Sequence, residues 1–139
     1  MDNLAQAGYT ATFVKAGLTG ISGAATTFST SAFNYALRGI ALNNAAVSGG
    51  ATPTSDFVTG AAITLTANKA RSVLWGVDAA GTERVIAGPI VDLDAAGNFV
   101  KDAPVLPACP DTVCPFAMTI HKAGATLSGT FTFGSSNWN

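Results

Sequence analysis

The chain has 139 residues, with seven Lys and Arg against eight Asp and Glu for a formal net charge of −1, and that length favours one domain. Only 11 % of residues are charged and 48 % are hydrophobic, which excludes intrinsic disorder. The cations stand singly as Lys15, Arg38, Lys69, Arg71, Arg84, Lys101 and Lys122, without the clustering that a nucleic-acid partner requires.

An uncharged run reaches from Ala16 to Leu37, but half of it is Gly, Ser, Thr and Asn, so no membrane helix is expected. Met1 to Gly8 has neither a basic nor an apolar stretch, and no secretory signal is expected. Glu83 and Gln6 are the sole residues of their types, so the side chains that normally cover exposed helix surfaces are nearly missing. Thr, Ser and Gly take their place, and these suit half-exposed strands and tight turns. The fold class expected is all-β, an antiparallel β-sandwich or barrel-like domain over 11–139, preceded by a short flexible N-terminal arm over 1–10.

In chain order, Tyr9 to Lys15 begins with alternating polar and apolar residues and predicts a short strand. Phe33, Tyr35 and Leu37 alternate with Asn34, Ala36 and Arg38; Gly39 interrupts, and Ile40 and Leu42 resume on a second strand. Ser48 to Asp56 is dense in turn residues and predicts a loop. Asp-Ala-Ala-Gly occurs twice, at 78–81 and 94–97, and Asp first with Gly fourth fits a type I turn at a hairpin tip. The first tip would join 72–77 to 83–86 and the second 90–93 to 98–100. With Gly88-Pro89 between them, the whole predicts a four-stranded meander. Four Pro between 103 and 115 exclude a central strand there. A last pair of strands is expected over 116–122 and 126–133.

Chemistry-bearing clusters are sparse. Cys109, Cys114 and His121 are three metal-binding residue types in sequence proximity, one short of a structural zinc site; a loop-closing disulfide between Cys109 and Cys114, or two free thiols, are the other readings. Asp92-Leu-Asp94-Ala-Ala-Gly97 has the opening of a calcium loop, but Ala96 and Ala103 stand where oxygen ligands belong, and a hairpin turn explains it better. No nucleophile elbow, zinc-protease helix or phosphate-binding glycine loop occurs. One His and one Glu leave little for acid/base work, so neither enzymatic activity nor a cofactor is expected. Most aromatics, Trp75 among them, sit at strand positions and read as core. Leu4, Tyr9, Phe13 and Trp138 lie on or near terminal segments with few local partners, and they are the candidates for contact with another surface.

Several segments carry a resemblance: Ala25 to Gly39, Ser48 to Asp56, Val73 to Thr82, and the ending Gly129 to Trp138. Together, over about residues 20–138, they resemble small β-rich virion proteins of tailed bacteriophages that decorate or cement the head. The resemblance implies no cofactor, a symmetric homo-oligomer with a trimer the first expectation, the major capsid protein as partner, and a place on the capsid surface after synthesis in the host cytoplasm. Residues 1–10 are then the first candidate for the shell contact, by adding a strand to a capsid sheet. The alternative is a receptor- or carbohydrate-binding module of a head or tail fibre, with Trp75 or Trp138 exposed to stack on sugar rings.

Overall fold

The computed structural model describes residues 9–21 and 26–135; the expectation of an arm therefore lies outside the described residues for 1–8. Ten strands are formed among the described residues: β1 (Ala11–Thr12), β2 (Thr27–Thr30), β3 (Phe33–Leu37), β4 (Ile40–Asn44), β5 (Val47–Ala51), β6 (Thr64–Thr66), β7 (Lys69–Asp78), β8 (Glu83–Asp92), β9 (Val113–Ala123) and β10 (Thr130–Thr132). They pair antiparallel as β8-β7-β9, β1-β3-β4, β2-β5 and β10-β6. The protein is all-β and sandwich-like; no closed barrel forms among the described residues.

The long β8-β7-β9 sheet is one layer, and period-two alternation along β7 sets its two faces. Val73 and Trp75 point inward to a cluster with Phe28, Ile63, Leu65, Val85 and Phe133. Trp75 is wholly buried, with its ring centroid 5.2 Å from Phe28 and 5.8 Å from Phe133. Val77 and Cys114 point the same way and meet Phe33, Tyr35 and Leu37 of β3 in a second cluster. The β1-β3-β4 sheet is thereby clamped onto the inner side of the long sheet. Each such buried Val, Leu or Phe contributes about 1.5–3 kcal/mol of transfer free energy. The Tyr35 hydroxyl donates to the Asp78 carbonyl at 2.7 Å, and burial raises its pKa.

Local chemistry accounts for the turns. Arg38 and Gly39 both take positive φ, 53° and 80°, the two-residue turn whose twist suits a hairpin; it closes β3 onto β4 with Leu37 opposite Ile40. Both Asp-Ala-Ala-Gly copies form the turn expected of them. The Asp78 carboxylate accepts from the Ala80 and Thr82 amides, and Asp94 accepts from Ala96 and Asn98 in the same way.

Several sequence expectations are corrected by long-range pairing. The loop expected at 48–56 begins with strand β5, which pairs with β2. Gly50 permits this, because a Cβ there would lie 3.1 Å from the Phe28 ring, so the missing side chain lets the ring close on the backbone. Asp56 holds the rest of that segment to β8: its carboxylate accepts from the Ala87 amide at 2.9 Å and from the Thr59 amide and hydroxyl at 2.9 and 2.6 Å. Gly88-Pro89 does not separate two strands but lies inside β8, where the register shifts between Arg71 and Val73. The extra residue makes a bulge, which tolerates Pro without a ladder donor. The four-stranded meander is absent, since β9 and not a meander strand takes the far side of β7, and the second Asp turn closes only a single Leu93–Phe99 bridge. The Pro-rich segment ends sooner than expected, at Val113, with Pro115 inside β9 beside a register shift. Nor do the last two strands pair together: β10 joins β6.

Candidate functional site

The two clamped sheets turn their other faces outward on opposite sides of the molecule, and these outer faces carry the exposed groups of interest. On the β1-β3-β4 side, Ala11, Ala36 and Ala41 stand opposite one another across the three strands, with Ala36 buried and Ala41 exposed. Asn34 and Asn43 are a neighbouring cross-strand pair on the same face, and the Asn43 carboxamide donates to that of Asn34 at 2.8 Å. Phe13 is anchored beside them by its amide, which donates to the Asn34 carbonyl at 3.0 Å. Its ring stacks on that of Tyr9 at 6.4 Å and 20°. Both rings are half exposed, at 53 % and 52 %. Tyr9 is fixed in turn, because its carbonyl accepts from the Gly39 amide at 2.8 Å and the Thr10 hydroxyl accepts from the Arg38 amide at 3.2 Å. Beside the rings runs an open trough of about 370 Å³ lined by Phe13, Asn34, Ala41, Leu42 and Asn43.

The opposite face is aliphatic. In β9, Met118 and Ile120 stand opposite Leu74 and Ser72 of β7, on the side away from Trp75, and they are 45 % and 41 % exposed. The Pro-rich segment crosses over the same face: the Val105 carbonyl accepts from the Ser72 hydroxyl at 2.6 Å, and the Val105 and Leu106 side chains are exposed. Gly88 makes the crossing possible, since a Cβ there would lie 3.1 Å from the Val105 oxygen and would collide with the Ser72 hydroxyl.

Of the contact candidates expected from the sequence, Tyr9 and Phe13 are therefore brought together in the open, while Leu4 and Trp138 lie outside the described residues. Trp75, a candidate for exposed sugar stacking, is instead the centre of the core, because it points to the face of β7 on which Phe28, Ile63, Leu65 and Phe133 pack. Sequence reasoning missed the aliphatic face. The alternation of Met118, Ile120 and Lys122 was visible, but nothing local says that this side of the strand faces out.

The remaining clusters are dispersed or inert. Both thiols are free: the Cys109 sulfur lies 3.4 Å from the Val113 carbonyl, and Cys114 is packed in the second core cluster. Burial pushes the Cys114 thiol up to about 11, so it carries no thiolate at neutral pH. His121 is buried with Nε2 2.6 Å from the Thr119 hydroxyl and its ring edge-on to Phe133; burial lowers its pKa to about 4. Among the described residues, no three His, Cys, Asp or Glu side chains gather where a metal ion could be held. Asp92 pairs with Lys69, and Asp94 spends its oxygens on its own turn. Among the described residues, no helix is long and apolar enough to cross a membrane. The chain matches no family model, no curated protein and no solved structure.

Proposed function

We propose that the protein is a non-catalytic structural component of a tailed-bacteriophage virion, a decoration or cement protein that binds the assembled head and stabilises it. The observation that carries this reading is the exposed aliphatic surface made by β9 and the Pro-rich segment on the outer side of the β8-β7-β9 sheet, where Leu74, Ile86 and Val113 are buried beneath. Met118 and Ile120 of β9, with Val105 and Leu106 of the Pro-rich segment, are exposed and give an apolar surface suited to burial against another protein. The family resemblance supplies the partner class, the major capsid protein, and a homo-oligomer, first a trimer. The low charge of the chain supports it too, since a surface with few charges is poorly protected against association and benefits from permanent burial. The mechanism is linkage: a ligand that binds only the assembled lattice stabilises that lattice in proportion to its occupancy.

Quantitative mass spectrometry of purified particles against the major capsid protein tests the reading. Hundreds of copies per head are expected, whereas absence from particles contradicts it. Rebinding of purified protein to stripped heads then locates the contact. Met118→Asp with Ile120→Asp abolishes rebinding if the sheet face is the contact; removal of residues 1–8 abolishes it if the arm is.

The second reading, a receptor- or carbohydrate-binding module, loses Trp75, which is wholly buried. What favours it now is the trough beside Tyr9 and Phe13.

A further inference from the structure

We propose that the trough on the outer face of the β1-β3-β4 sheet is a binding site for a neutral saccharide. Three features of its chemistry converge on that ligand class. First, Phe13 lines the trough and its ring stacks on Tyr9, both residues being half-exposed; an exposed aromatic ring is the partner that the flat C–H face of a pyranose takes in water. Second, the polar groups of the lining are carboxamides. Asn43 Nδ2 donates to Asn34 Oδ1, so the pair still has the Asn34 amino group to donate and the Asn43 oxygen to accept. Two neighbouring ring hydroxyls, one accepting and one donating, match that pair. Third, none of the lining residues Phe13, Asn34, Ala41, Leu42 and Asn43 carries a charge, so nothing selects an anionic or cationic ligand.

The site is also built to hold its shape. Backbone bonds from Phe13 to Asn34 and from Gly39 to Tyr9 fix both aromatic residues to β3 and to the turn that follows it. An apolar protein surface laid here would strand the carboxamide pair without partners; a polyol satisfies it.

This inference rests on the proposed function only for its setting, in which the aliphatic face meets the shell and the opposite face presents the trough outward. The test is affinity electrophoresis of the full-length protein in native gels cast with dextran, pullulan, galactomannan or arabinoxylan, all neutral polysaccharides. Retardation by at least one is expected. Phe13→Ala and Asn43→Ala, both at exposed positions, should each weaken it about tenfold or more with thermal unfolding unchanged, while Met118→Asp with Ile120→Asp leaves it intact. No retardation in any of the four gels would overturn the inference, as would retardation that survives both trough substitutions. If Phe13→Ala instead removes the protein from heads, the trough is the shell contact and the inference fails. Saccharide binding by a protein absent from particles would overturn the decoration reading and leave this one standing.

Discussion

The two outer faces of the sandwich are built on the same kind of three-stranded antiparallel sheet and differ in what they offer to a partner. The face over β7 and β9 is aliphatic, Met118 and Ile120 with Val105 and Leu106 beside them, and gains free energy only by excluding water. The face over β1, β3 and β4 combines aromatic rings with a pair of carboxamides that keeps a donor and an acceptor to spare, and it needs a partner that returns hydrogen bonds. Two layers sharing one core can therefore serve two different partners, because side-chain alternation separates what a strand buries from what it displays.

The largest effect should come from the core that joins the faces. Trp75→Ala removes a wholly buried ring and should cost about 3–5 kcal/mol, measured by denaturant unfolding. Both faces should then fail together, and a Trp75→Ala variant that kept its stability would show that the two layers do not depend on a shared core.

Acid should come next. Burial holds His121 neutral with a pKa of about 4, against about 6.5 in an unfolded chain. Between those values the unfolded state binds more protons, so stability falls as pH drops from about 6.5 to 4, by something on the order of 3 kcal/mol. Below that window Asp56 adds to the loss: burial raises its carboxyl, but the bonds from Thr59 and Ala87 outweigh this and hold its pKa below 3.8. His121→Gln should flatten the upper part of the profile and leave the lower part. A wild-type melting temperature constant from pH 7 to 4.5 would contradict the buried neutral histidine.

A smaller effect separates the two Asp turns. Asp78 ends β7 and also binds Arg84 through Nε at 2.9 Å, so Asp78→Ala strands two turn amides and a guanidinium and should cost about 2 kcal/mol. Asp94 makes the same turn on an exposed tip, and Asp94→Ala should shift the melting temperature less. Equal shifts would show that the turn itself, not its place in the core sheet, carries the stabilisation.

These turns also mark what the sequence reveals. Asp followed three residues later by Gly states the turn fully, since the carboxylate and the positive-φ glycine lie within four residues, and both copies form it. What the flanks become is not local. Val77 and Val85 are buried beside the first turn, which grows into ten-residue strands, whereas Val100 is exposed beside the second, which stops at one bridge. The all-β class was legible from the scarcity of Glu and Gln and the abundance of Thr and Gly. The β2–β5 and β6–β10 pairings were not, because they join residues about 20 and 65 apart through side chains such as Phe28 and Phe131 whose partners are distant in the chain. The site was half legible: Tyr9 and Phe13 stood out by their position, whereas Asn34 and Asn43 acquire meaning only once the strands pair.

Whether the aliphatic face is the shell contact is decided most directly by counting copies on heads purified from phage carrying the wild-type chain and from phage carrying Met118→Asp with Ile120→Asp. Hundreds of wild-type copies per head and near-complete loss in the variant are expected, with the soluble variant melting at the same temperature as wild type. Wild-type absence from particles, or undiminished occupancy by the variant, would contradict a shell contact made through this face.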